Sequence, residues 1–170
     1  MGKNFMMDGS NLNQIRNETY DFILSAHNLE HYANPLKAIR EWKRVLKKGG
    51  YMVVTTPDKK MMFDRKRPYT AMDHLISDYL ENVHEDSLSH LQEIANLHDF
   101  SLDRGLVPVG SESLKETFVK RSMQNNELRA LHHHVFDMGT LKCIGRYFGM
   151  ETIREHWDWD MHQTIIWKKL

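Results

Sequence analysis

The chain has 170 residues, of which 41% are hydrophobic and 27% charged. That is the composition of a soluble globular domain and excludes a disordered or fibrous chain. Its 23 basic and 23 acidic residues cancel, so no long-range field draws in nucleic acid or an anionic membrane, and a partner must be recognised locally. The single cysteine, Cys143, excludes an internal disulfide framework. No apolar run approaches the roughly 18 residues of a membrane span, and the start MGKNFMMDGSN lacks the layout of a signal peptide, so the cytoplasm is the expected location.

Residues 1–57 read as strand, helix, strand. Tyr20 to Ala26 (YDFILSA) is a short apolar run bounded by polar residues, as for a strand buried on both faces. Asn34 and Pro35 form a helix start, because an Asn side chain accepts from free first-turn amides and Pro at the first position gives up only an orphan N–H. The helix is expected to reach about Lys48, with Leu36, Ile39, Trp42, Val45 and Leu46 on one stripe and Gly49-Gly50 as its stop. Tyr51 to Thr56 (YMVVTT) then reads as a second buried strand, stopped by Pro57. Short connections between apolar strands predict a right-handed parallel crossover.

Residues 58–131 are polar, His-rich and mostly helical in pattern, as for an insertion or lid. Leu75 and Tyr79, then Leu88, Leu91, Ile94 and Ala95, recur at helical spacing, with a start near Ser87. Gly105, Pro108 and Gly110 mark a break before a further helix over Leu114 to Gln124. In residues 132–170 Asp137 can cap a helix with the apolar face Met138, Leu141, Ile144 and Phe148, ended by Gly149. Met150 to Trp157 and Thr164 to Lys168 follow as strands of a C-terminal antiparallel hairpin.

Between Met7 and Asp58 the sequence resembles the second half of a class I S-adenosylmethionine-dependent methyltransferase of the type 11-like group. The motifs that carry the resemblance are Asp8-Gly9-Ser10, Tyr20-Asp21 opening a strand, Ala26-His27-Asn28-Leu29-Glu30-His31 at its end, and Arg44-Val45-Leu46-Lys47-Lys48-Gly49-Gly50 before the next strand. The implied fold is α/β: an incomplete Rossmann-like methyltransferase sheet in a single domain, with a helical insertion and a C-terminal antiparallel hairpin. The family's glycine-rich GxGxG loop has no counterpart, since the nine glycines contain no GxG. The resemblance therefore implies a methyltransferase without its N-terminal third. An apolar central strand would then be an open edge, and such edges recruit other strands. Self-association, or pairing of Lys3 to Met7 into the gap, is the expectation.

The resemblance implies S-adenosylmethionine as cofactor and methyl transfer to a small-molecule or sugar-like acceptor. Sites in open parallel sheets lie beyond the carboxyl ends of the strands, where Asp8, the Ala26–His31 segment and Thr56 to Asp58 can converge. In the family reading Asp8 accepts from the adenine amino group, Gly9 and Ser10 present backbone near the ring, and Ala26 and His27 lie against the cofactor. The donor is already activated, so the protein has to align the reactants and remove a proton, for which His27 and His31 are the candidates. Their structural alternative, with Glu30, is capping the next turn. A non-catalytic remnant or interaction module is the competing reading.

Eleven histidines also raise metal-dependent hydrolysis, a third reading. His132-His133-His134 with Asp137, and His90 with Glu93, offer ligand types that zinc accepts. In an extended segment only His132 and His134 share a face, and no HExxH or paired-cysteine pattern is present, so no metal site is assigned. His132, His133 and His134 are instead expected to line the acceptor pocket, or to be simply a polar lead into the last helix. Arg65 of the Arg65-Lys66-Arg67 run could grip an anionic group on the acceptor, the plainer reading being a solvated charge run. Trp157 and Trp159 are expected in the core or a dimer contact, Met6-Met7 and Met61-Met62 as fillers of apolar space, and Cys143 as a packed thiol.

Overall fold

The computed structural model describes residues 4–108, 110–158 and 161–170. Its elements are β1 (Tyr20–Ala26), α1 (Pro35–Val45), β2 (Leu46–Pro57), α2 (Met72–Leu80), α3 (Leu91–Leu97), α4 (Leu114–Ser122), α5 (Asn125–Leu128), α6 (Met138–Tyr147), β3 (Met150–Asp158) and β4 (His162–Lys169). They form a mixed four-stranded sheet in the order β1-β2-β4-β3. β1 and β2 are parallel across α1, and β4 lies antiparallel between β2 and β3. The strand–helix–strand unit and the closing hairpin thus form as their sequences predict.

The helix starts follow from local chemistry. Asn34 Oδ1 accepts from the Lys37 amide at 3.0 Å, and Asp137 Oδ1 from that of Thr140 at 2.7 Å. Ser113 and Glu116 complete a reciprocal capping box on α4. The other end of α1 departs from expectation: the helix stops at Val45, and Leu46 already pairs with Tyr20. The next pair is Phe22 with Tyr51, so Lys47 to Gly50 loop out as a bulge in β2, and Gly49 supplies its positive φ of 74°. The pair of glycines shapes a strand entry instead of a helix exit. α3 likewise begins at Leu91, later than Ser87, without a side-chain cap.

One face of the sheet carries the core. Met52, Val54, Ile165 and Trp167 pack beneath Leu36, Ile39 and Trp42 of α1 and Leu141 and Ile144 of α6. A second apolar cluster, Ile94, Ala95, Leu106, Phe118 and Leu131, belongs to the helical segment. The opposite sheet face is open, with Phe22 67% and Leu24 65% exposed and Tyr51 also at the surface. The expectation of strands buried on both faces is therefore corrected: among the described residues helices cover one face, and β1 is an edge strand with no partner on its outer side. Residues 4–7 form no strand there, and Lys3 lies outside the described residues, as does Trp159. Met6 and Met61 are exposed and fill no apolar space, and Trp157 is not in the core. Cys143 is a half-buried free thiol on α6. Among the described residues no helix is long and apolar enough to cross a membrane.

Candidate cofactor groove and its surroundings

The carboxyl end of β1 and the turn at Asp8 meet across α1. Trp42 Nε1 donates to Gly9 O at 2.9 Å, Arg44 donates to Leu12 O and Ile15 O, and Glu41 accepts from the Leu12 amide. The polar stripe of α1 thereby holds the segment from Gly9 to Ile15 in place. A Cβ on Gly9 would sit 2.1 Å from Tyr32 Oη, so any side chain here requires the Tyr32 ring to shift. Asp8 Oδ1 accepts from the Ser10 amide at 2.7 Å, and its Oδ2 from Arg129 at 2.9 Å. Burial pushes the Asp8 pKa up, but the bonds from Ser10 and the Arg129 guanidinium outweigh it and leave the pKa below its ordinary value.

An open groove of about 690 Å³ runs between Phe5–Gly9 on one side and Asn28, His31, Tyr32, Glu127 and Arg129 on the other. Its volume is that of a small-molecule site. Asp8, Gly9 and His31, all expected at a shared crevice, do share this one. Ser10 and Ala26 are not in its lining, and neither is His27. His27 instead has a left-handed backbone (φ 48°), donates its amide to Thr55 O, and sets its ring edge-on to His162 at 4.6 Å. Burial and the neighbouring His162 and His132 lower its pKa.

For S-adenosylmethionine the adenine end is the part these residues fit. The Asp8 carboxylate is ionised, and each oxygen has a lone pair beyond the one used by Ser10 or Arg129. His31 Nδ1 lies 3.2 Å from Leu131 O, which fixes the ring, and burial with the nearby His132 lowers its pKa to about 4. Its imidazole is thus neutral at neutral pH.

The other expected site residues lie inside the protein. His132 Nδ1 is 2.6 Å from Asp64 Oδ2, Asn125 Nδ2 donates to His133 Nε2, and His134 Nε2 is 3.2 Å from Ala33 O. The amides of His133 and His134 donate to Glu30 O, which stitches this segment to the Leu29–His31 turn. All three side chains are buried, and the cavity that His132 and His134 share with Glu30 and Asp64 is about 10 Å³, room for one water molecule. The triple histidine is therefore corrected from an acceptor-pocket wall to an interior polar layer. Its facing also differs from simple alternation: the His133 and His134 rings both approach His90, while His132 packs on His31 and Phe63.

The basic run is likewise engaged. Arg65 and Lys66 pair with Asp99, at 2.5 and 3.3 Å, and Arg67 is buried against Asp64, His132 O and His133 O. Asp137 is occupied as a helix cap, and Glu93 faces Arg67. Sequence reading missed Arg129, which bridges Asp8 and Glu85, and Tyr32 in the groove wall. Asp8 and Arg129 are 121 positions apart, and nothing local to Arg129 announces the pair.

Residues 3–54 match the family model described as "Methyltransferase domain". No curated protein matches the sequence. Among solved structures, similarity extends to a Pyrococcus horikoshii protein with 11% identity, 96% of this chain and 57% of that one covered, and a TM-score of 0.48. A SAM-dependent methyltransferase of Thermotoga maritima gives 18% identity, 95% and 61% coverage and a TM-score of 0.46. One from Methanosarcina mazei gives 14%, 96% and 65%, and 0.46. The chain spans less than two thirds of the length of each of these three proteins. The family match falls on residues 3–54, the part of the chain that holds the Asp8 turn, β1, α1 and most of β2, and in this part the chain is similar to a methyltransferase domain.

Proposed function

We propose that this chain takes part in S-adenosylmethionine-dependent methyl transfer to a small-molecule or sugar-like acceptor. The observation that carries the reading is the ionised Asp8 beside a glycine closely approached by Tyr32, in the family-matched segment and on the wall of a groove of ligand size. The cofactor supplies a methyl group already activated on a sulfonium. With the cofactor bound, Asp8 would accept from the adenine amino group and the Gly9 turn would border the ring. His31, neutral and held by Leu131 O on the same groove, is the group in position to receive a proton from the acceptor. Its depressed pKa makes it a weak base, suited to an acceptor whose proton becomes acidic as the methyl arrives.

A second reading, an interaction module without catalysis, is favoured by the exposed apolar edge at Phe22 and Leu24. Calorimetric titration with S-adenosylhomocysteine separates the two. Micromolar binding that is lost in Asp8→Ala, with both proteins folded by circular dichroism, supports the cofactor reading. Folded protein that binds nothing supports the interaction module.

A further inference from the structure

Away from the groove, α2, the entry of α3 and the segment before α6 bring metal-type donors to one point. His74 and Asp78 stand one turn apart on α2, so they share a face. His90 immediately precedes α3, and His134 lies in the segment leading to α6. The His74 and His90 Nε2 atoms are 2.9 Å apart. Asp78 Oδ2 lies 3.3 Å from His74 Nε2, 3.9 Å from His90 Nε2 and 3.6 Å from His134 Nε2.

These distances have a chemical meaning. Four ligands at about 2.0–2.1 Å around a tetrahedral zinc ion stand about 3.3–3.4 Å from one another. The spacings here scatter about that value. Asp78 supplies the second observation: its side chain is 7% exposed, yet Oδ2 has no hydrogen-bond partner among the described residues. A buried carboxylate oxygen without a donor is costly, and it is aimed at three imidazole nitrogens. Direct approach of two imidazole nitrogens satisfies at most one of them as donor. A cation between them and the carboxylate would satisfy all three groups at once.

We propose that His74, Asp78 and His90 form a binding site for a zinc-class divalent cation, with the fourth position open to water or to His134. Two nitrogens and one carboxylate oxygen form a borderline donor set, suited to zinc and poorly suited to calcium or magnesium. His134 Nε2 bonds Ala33 O, so its entry into the coordination sphere requires giving up that contact. The ion would fasten α2 to the entry of α3, beside the interior histidine layer. The site is independent of the methyl-transfer reading, because none of its residues lines the Asp8 groove.

The test uses the full chain, purified without an affinity tag, stripped with a chelator and titrated with zinc sulfate by calorimetry. The expected result is one ion per chain, with binding weakened in His90→Ala by more than the roughly 10–100-fold that loss of an outer-shell partner costs. His74→Ala should behave the same way. Its side chain is nearly half exposed on a helix surface, so this variant keeps the fold if His90→Ala does not. His31→Ala, at the neighbouring Glu30–His31–His132 group of donors, should bind as the parent does. Cobalt should give the intense visible bands of a four-coordinate ion. Absence of stoichiometric zinc binding, unchanged binding in folded His74→Ala, or loss in His31→Ala alone would overturn the assignment.

Discussion

Arg67 offers the sharpest test of how the interior polar layer is held. Its guanidinium is 3% exposed and donates to Asp64 Oδ1 at 2.9 Å, His132 O at 2.8 Å, His133 O at 2.9 Å and Glu93 Oε1 at 3.2 Å. Asp64 is equally buried and takes His132 Nδ1 on its other oxygen. Burial raises the Asp64 pKa, but His132 and Arg67 together hold it below its ordinary value. Arg67→Met keeps the apolar stem and removes the charge. One partner of a buried pair is then left alone, a loss of about 3–5 kcal/mol, and the two carbonyls lose their donors as well. Water entry and protonation of Asp64 limit the total, so about 3–5 kcal/mol is the expected destabilisation. That is a large share of a typical domain's stability of about 5–15 kcal/mol. Urea unfolding followed by circular dichroism at pH 7 measures it, and Arg67→Lys, which lacks the planar fork, should fall between parent and Met variant. A double-mutant cycle with Asp64→Asn should give a coupling of at least about 1 kcal/mol. A loss below 1 kcal/mol, or strict additivity, would refute the clasp.

Three further outcomes are expected. Gly9→Ala places its Cβ on Tyr32 Oη and should shift the Asp8 turn, weakening nucleoside binding about tenfold or more in a calorimetric titration, and Tyr32→Phe should restore part of the loss. Binding by Gly9→Ala equal to the parent would show that the turn is not held by this approach. The open β1 edge leads us to propose concentration-dependent self-association, which Phe22→Lys and Leu24→Lys should suppress in analytical ultracentrifugation; a parent that stays monomeric at high concentration contradicts it. His31 has a folded pKa of about 4 against about 6.5 unfolded, so the unfolded chain takes the proton first. Its contribution is fully present above pH 6.5 and is lost as pH falls toward 4, by about 1–2 kcal/mol after discounting for partial exposure. Urea unfolding at pH 7.5 and pH 5 should therefore differ less in His31→Gln than in the parent, and identical differences would exclude the assignment.

What the sequence discloses and what it withholds divide along a physical line. β1, α1, β2, α6 and the final hairpin were legible because each rests on local rules: an Asn-Pro start, an Asp cap, apolar stripes and turn residues. The Gly49-Gly50 stop misled because a glycine pair signals positive φ without saying whether a helix ends or a strand bulges. Burial on both faces misled because YDFILSA alternates weakly, and whether its second face is covered depends on what packs there. The roles of His132 to His134 and Arg67 could not be read at all. Their partners Asp64, Asn125, Ala33 and Asp78 are fixed by the packing of the helical segment, and a polar, histidine-rich run looks the same in sequence whether it faces a ligand or the interior.

The same polar layer explains why the groove cannot be considered apart from residues 58–131. The two apolar clusters are separate, one on the sheet and one within the helical segment. Between them run directional contacts: Asn34 to Asp78 O, the Ala33 amide to Glu85, Arg129 to both Glu85 and Asp8, and the amides of His133 and His134 to Glu30 O. Apolar packing tolerates sliding, whereas hydrogen bonds between buried groups fix distance and direction. The groove takes Asp8 and His31 from the α/β part and Glu127 and Arg129 from the helical segment. Its width is therefore set by this polar junction more than by the core.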